Sequence, residues 1–268
     1  MLQIKDFLAS YKLTFTLAWN DFKRRFVGSY LGIIWMIIQP CVTIAIYYLI
    51  WGIINNDSGQ VAALVSKLAP WFFFSEALQL ATNSLYDYSY LVKKVVFKVS
   101  ILPQVKIFSA ALAHLIFLAI VIVLCISLDC NPSIAWIQLF YYAFCIYALV
   151  SGLSYMTAAV SVFFKDMIQI VGIVVQIGMW LAPIMLPLSG PNFLAADGTF
   201  NMYGKLIKLN PITYIVEGYR TTLTKNLWFW ELDGFLQDTI YFWLVTVVIF
   251  IIGYIVFKKL KPHFADVL

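Results

Sequence analysis

Charge is what this sequence has least of. Asp, Glu, Lys and Arg make up 12% of its 268 residues, against 63% hydrophobic and 18% aromatic. Soluble domains carry roughly twice that share of charge, so a soluble globular chain is excluded. A multi-span integral membrane protein forming a single domain (1–268) is expected instead. Histidine occurs twice and cysteine four times. His114 stands alone in an apolar run and reads as a packed polar residue, and with His263 in the tail there is no ligand set for metal catalysis. Cys41, Cys125 and Cys145 lie in apolar runs and Cys130 in a short loop. Neither a disulfide framework nor a CxxC metal site follows from that spacing, and Cys130 reads as a free thiol. There is no G-x-x-x-x-G-K-[ST] phosphate loop, whose backbone would cradle a nucleotide. No apolar run carries the paired acids of a proton relay. Glu76 is the single carboxylate deep in a run and is expected near the outer interface. If such a chain pumps, its free energy must come from another polypeptide. No cleavable signal peptide is expected, because residues 1–30 carry charges throughout.

What is abundant is long apolar sequence. Runs over 30–54, 62–85, 105–128, 133–163, 167–188 and 235–257 approach or exceed the ~20 residues that cross a hydrocarbon core as a helix. Six transmembrane helices are therefore expected. Before the first run, Ile4, Phe7, Leu8, Tyr11, Phe15, Ala18, Trp19, Phe22 and Phe26 recur at helical spacing, with Lys5, Lys12, Asp21 and Lys23 opposite. That pattern predicts an amphipathic helix over 1–29 lying in the interface plane. With the N-terminus inside, Lys5, Lys12, Lys23, Arg24, Arg25, Lys93, Lys94, Lys98, Lys106, Lys165, Lys258, Lys259 and Lys261 fall on the inner side. Lys67, Lys205, Lys208, Arg220 and Lys225 are left outside. Basic residues favour the cytoplasmic face, so both termini are expected there.

The stretch WNDFKRRFVGSYLGIIWMIIQP joins a charged head to the first apolar run. Its Trp19, Asp21, Lys23, Arg25, Phe26, Ser29, Leu31, Gly32, Trp35 and Pro40 resemble the start of the ABC type-two transporter permeases. Within that family they look most like the branch that exports lipid-linked polysaccharide such as O-antigen, capsule or teichoic acid. NPITYIVEGYR, later in the chain, resembles that family's N-P-x-x-x-x-[IV]-E-x-[YF]-R pattern. The resemblance implies a homodimeric channel in the bacterial cytoplasmic membrane. It also implies two copies of a separate ABC ATP-binding subunit, which carries the ATP and Mg, so that this chain has no cofactor or ATPase site of its own.

Three groups of residues bear on mechanism. Residues 86–104 are too apolar for a solvated loop, yet Lys93, Lys94 and Lys98 keep them out of the bilayer. Tyr88, Tyr90 and Phe97 among them suit a groove on a partner. The resemblance places a coupling helix here, with Asp21, Arg24 and Arg25 flanking the same ATPase. In the first run Trp35, Gln39, Thr43 and Tyr47 recur every four residues and Trp51 continues the row. In the fifth, Gln169, Gly172, Gln176 and Trp180 share a helical face. Amides hydrogen-bond hydroxyls and aromatic faces pack on sugar rings, so these stripes suit a polysaccharide channel; helix packing through polar residues is the plainer alternative. Over 189–234, Asn210-Pro211 is a helix start. Ile212, Ile215, Val216, Tyr219 and Leu223 form its apolar face, and Glu217 and Arg220 are spaced to pair. By resemblance, Asn210, Pro211, Glu217, Tyr219 and Arg220 belong to short re-entrant half-helices gating the channel exit. An ABC type-two exporter of a small lipid, drug or haem remains open, as does a membrane-integral glycosyltransferase or ligase. The latter would need an acidic or metal-binding cluster, whereas Asp57, Asp129, Asp197, Glu231 and Asp233 are scattered.

Overall fold

A computed structural model describes residues 11–25, 32, 34–54, 57–93, 97–184, 188, 193–194, 200–232 and 234–268. The side chains of Trp35, Met36, Ile37, Gln39, Trp51, Ile54 and Ser58 also lie outside the described set, as does Lys94 entirely. The fold is all-helical, with one isolated bridge, Leu194 to Phe200, as the only extended pairing among the described residues. In order the helices are α1 (Tyr11–Arg24), α2 (Ile34–Tyr47, prolonged by a π-helical stretch Tyr48–Ile54), α3 (Ser58–Thr82), α4 (Leu102–Ser127), α5 (Leu139–Phe163), α6 (Met167–Leu181), α7 (Met202–Lys208), α8 (Pro211–Arg220, prolonged by the π-helical Thr221–Lys225) and α9 (Phe235–Leu260). Two short helical turns, Ser84–Asp87 and Ser89–Val92, follow α3.

Four described stretches are long and apolar enough to span a bilayer: Gly59–Thr82, Val99–Ser127, Ile134–Phe163 and Phe235–Val267. The runs 30–54 and 167–188 give shorter apolar helices, Pro40–Ile50 and Met167–Leu181. α6 stops before the end of its run because Pro183 forces Ala182 out of the helical region, to φ −89 and ψ 148. At 1.5 Å per residue α6 is about 22 Å long, short of the ~30 Å core.

α3 is the central post. It packs against α4, α5, α6, α8 and the π-helical end of α2. Its start is fixed by Asp57, whose carboxylate accepts the Gln60 amide at 2.9 Å. Leu64, Val65, Leu68, Ala69, Phe73, Ala77 and Ala81 are all buried along it. α9 packs chiefly on α5 and leaves most of its surface outward. The two meet backbone to backbone. A Cβ on Gly253 would lie 2.1 Å from the Gly152 carbonyl oxygen, and one on Gly152 would lie 2.9 Å from the Phe250 nitrogen. Small residues permit such approach where lipid supplies no hydrophobic drive for helix association.

Two cores fill the bundle. The smaller, around Ala18, Leu85, Tyr88, Leu102, Tyr155 and Phe257, marks the end where α1 sits, called here the near end. The larger, around Leu68, Phe73, Ile107, Tyr142, Ile215 and Tyr219, runs toward the far end.

Candidate functional site

At the near end α1 is bolted to the bundle by ions. Thr14, Ala18, Asp21 and Phe22 form its packed face, against α4. Tyr11, Phe15 and Trp19 are exposed. The helix thus offers one face to protein and an aromatic face outward, as an interface helix should. Asp21 corrects the expected wheel, because it belongs to the buried face. Its carboxylate accepts from Lys106 at 2.7 Å and from the Tyr88 hydroxyl at 2.9 Å. Lys106 also pairs with Asp87 at 2.7 Å. Burial raises the Asp21 pKa, but the hydrogen bond and charge of Lys106 outweigh it and hold the carboxyl below its ordinary 3.8. Burial and the Asp21 charge push the Tyr88 phenol up, so it stays a donor.

Arg25 continues this network, lying 3.6 Å from Asp21 and in close contact with the Glu76 carboxylate. Glu76 is therefore near-end, not close to the opposite interface as the sequence suggested. A carboxylate within an apolar helix needs a cation, and the charged head supplies one.

The 86–104 segment is more embedded than a free loop. Tyr88, Val92 and Val99 are buried and Phe97 is partly so. The Tyr86 hydroxyl donates to the Ser161 and Val162 carbonyls at 3.1 and 3.2 Å, fixing the segment to the end of α5. Tyr90, Lys93 and Lys98 are exposed, beside Lys23 and Arg24 on α1. A basic, partly aromatic surface thus lies over an ionic network, buried at Asp21 and Lys106 and partly open at Glu76 and Asp87, that reaches α1, α3 and α4. Of the expected coupling residues, Asp21 and Tyr88 are internal supports rather than contact groups, and Lys94 lies outside the described residues.

On α6, Val171 and Val175 pack inward while Gln169, Gln176 and Trp180 are exposed and Gly172 is half-buried. On α2, Thr43 and Tyr47 are half-buried. α3 contacts both α6 and the π-helical end of α2. Trp35, Gln39 and Trp51, the other members of the α2 stripe, have side chains outside the described residues.

At the far end α8 begins as its sequence predicts. Asn210 caps it by accepting the Ile212 amide at 3.2 Å, and Pro211 follows. All five residues of its apolar face are buried. Glu217 accepts from Arg220 at 2.6 Å, yet the pair is not merely a surface one. Lys67 of α3, 2% exposed, lies 3.0 Å from the other Glu217 oxygen and donates to the Pro183 carbonyl at 2.6 Å. One carboxylate thus joins α8 to α3, and Lys67 reaches on to the chain just beyond α6. Tyr219, fully buried, bonds His114 of α4 at 3.1 Å, and His114 stacks on Phe73 of α3. Gly218 lets α8 lie flat on Tyr142 of α5, since a Cβ there would fall 2.2 Å from the ring. Lys67 and Lys106 were missed by sequence reasoning except as counts of charge. Their signal was the cost of a lone lysine in a span, which demands a partner.

A model of the family described as ABC-2 type transporter matches residues 12–224, α1 through the π-helical end of α8. The chain belongs to the ABC-2 type transporter family. Among curated relatives, an O-antigen export system permease protein RfbA of Klebsiella pneumoniae is 24% identical over 257 residues, covering 93% of this chain and 92% of that protein. One of the same name from Myxococcus xanthus is 23% identical over 225 residues, covering 82% and 84%. As an ABC-2 transporter with four long apolar helices, the chain is a multi-pass membrane protein. α9 lies beyond the matched region.

Proposed function

We propose that this ABC-2 permease is the membrane subunit of an exporter of lipid-linked polysaccharide of the O-antigen, capsule or teichoic acid class. It works as a homodimer in the bacterial cytoplasmic membrane with two copies of a separate ATP-binding subunit that carries ATP and Mg. Six spans place both termini, α1 and the 86–104 segment in the cytoplasm. The names of the relatives support the substrate class. The observation that carries the mechanism is the outward face of α6. Gln169, Gln176 and Trp180 point away from their own protomer, among exposed Ile170, Ile173, Val174 and Ile177. Polar groups facing pure lipid are costly, so this face lines a path shared with a second copy. A sugar chain sliding past needs many weak contacts and no deep trap, which a row of amides and indoles supplies. The α2 stripe of Trp35, Gln39, Thr43, Tyr47 and Trp51 completes the lining. At the far end α7 and α8 form the exit gate, with Asn210, Pro211, Glu217, Tyr219 and Arg220 setting its position. Tyr90, Lys93, Lys94, Phe97 and Lys98, with Arg24, receive the ATPase.

Single cysteines at positions 43 and 176 test the path in the assembled transporter. Water-soluble thiol reagents should label both, and labelling should slow export. If only lipid-soluble reagents react in every nucleotide state, the stripes do not line an aqueous path. If the chain co-purifies with an ATPase yet supports export of a lipid without glycan, the polysaccharide reading falls while the permease reading stands.

A further inference from the structure

We propose that Cys125 and Cys130 form an intrachain disulfide at the far end of α4, in the oxidising compartment outside the cytoplasm. The compartment rests on the orientation proposed above; the pairing itself rests on local geometry. α4 closes with a left-handed residue, Asp129 at φ 63. The Asp129 amide donates to the Ile126 carbonyl at 3.2 Å and the Cys130 amide to the Cys125 carbonyl at 3.0 Å. These two bonds define a Schellman closure, in which the residue after the left-handed position folds back over the residue five earlier. Those two side chains ordinarily make an apolar contact. Here both are cysteines, brought onto one closure by the backbone and both free thiols in this structure. Cys125 is fully buried and Cys130 packs on the same core, so a bond between them would be shielded from reductants.

The chemistry is a dithiol oxidation. Each S–H loses its proton, the sulfurs join, and two electrons pass to a protein disulfide oxidant of that compartment, which is reduced to its dithiol. The consequence reaches the gate. The turn after Cys130 presents the Asn131 carbonyl, which accepts from the Asn226 side chain at 2.9 Å. Asn226 in turn accepts from the Trp136 indole at 2.8 Å. Asn226, itself left-handed at φ 56, ends the π-helical extension of α8. The staple therefore fixes the mount on which the gate segment terminates.

Cells expressing the intact transporter can be quenched in acid, their free thiols alkylated under denaturing conditions, and the protein then reduced and treated with a second alkylating reagent. Peptide mass spectrometry should find the second label on Cys125 and Cys130 and the first on Cys41 and Cys145. In Cys130→Ser, Cys125 should take the first label. First-reagent labelling of both Cys125 and Cys130 in the native chain overturns the proposal. An Asp57→Cys reporter with a membrane-impermeant maleimide separates the causes. If position 57 is labelled from outside and the pair is reduced, the disulfide is wrong and the orientation stands. If position 57 reacts only after permeabilisation, the orientation has failed and the proposal with it. Reduction of purified transporter should speed hydrogen exchange at the backbone amides of 226–227; unchanged exchange would overturn the link to the gate.

Discussion

The Lys67–Glu217–Arg220 group makes an asymmetric prediction. Lys67→Met removes a buried cation but leaves Glu217 bonded to Arg220 at 2.6 Å. What is lost is the 3.0 Å ion pair and a charged bond to the Pro183 carbonyl, about 1.5–3 kcal/mol for a hydrogen bond to a charged group. Glu217→Gln leaves an ammonium that is 2% exposed with no carboxylate, facing the Arg220 guanidinium. Breaking a buried pair in that way costs about 3–5 kcal/mol. In the double variant only Arg220 lacks its carboxylate, and at 17% side-chain exposure it has some access to water. Lys67→Met should therefore rescue part of the Glu217→Gln defect. The assay is a double-mutant cycle on thermal unfolding of the transporter in detergent, read by loss of the monodisperse chromatographic peak. Single variants of equal cost whose effects simply add would refute the idea that Glu217 is the shared neutralising group.

Gly253→Ala should destabilise by about 1–3 kcal/mol, because its methyl group meets the Gly152 carbonyl and α5 and α9 must part; unfolding in the same detergent assay checks this, and wild-type stability would contradict the close crossing. Asp21 has a depressed folded-state pKa, so its contribution is complete above the ordinary 3.8 and is lost as pH falls through the lower folded value. Trp19 fluorescence or labelling on α1 should accordingly be flat near neutrality and change only in acid, and Asp21→Asn should already show the released signal at neutral pH. Tyr90→Ala should uncouple ATP hydrolysis from export with little loss of stability, because its ring is exposed. Phe97→Ala should also lower stability, since that ring packs on the near-end core; equal thermal stability of the two would argue against the division.

Local signals in the sequence served well wherever the structure is locally decided. The Asn210-Pro211 start of α8 and its five-residue apolar face were readable because a cap and a helical period need only neighbours. The all-helical membrane class followed from run length and scarce charge. What the sequence hid were pairings over distance. Asp21 looked like a solvent-face residue because its cation, Lys106, is 85 positions away. Glu76 looked unpaired because its cation, Arg25, lies 51 positions earlier, just past α1. The Gly152–Gly253 crossing was invisible for the same reason, since either glycine alone reads as an ordinary weak spot in a run. Pro183 lies inside the run 167–188 read as one span, yet its effect on the preceding residue ends the helix at Leu181. The α2 and α6 stripes show the limit from the other side. Periodicity put their residues on single faces, but what those faces meet beyond their own protomer is not written in the spacing.

Lys67 also sets a clock on biogenesis. Its carboxylate partner lies 150 residues further along the chain. At roughly 5–20 residues per second of synthesis, α3 exists for about 8–30 s before Glu217 has left the ribosome. Throughout that interval a lysine sits unpaired near the middle of a nascent span. That span is the least apolar of the four long helices, with mean hydropathy 1.3 against 1.6 to 2.8 for the others. Until α8 arrives to neutralise it, α3 carries the cost of that unpaired charge, about 2.5–3.5 kcal/mol on insertion scales. The helix around which the finished bundle is built is thus complete as a buried element only once a distant part of the chain has been made. A chain cut short before Glu217 should be recognised by membrane quality control as unfinished.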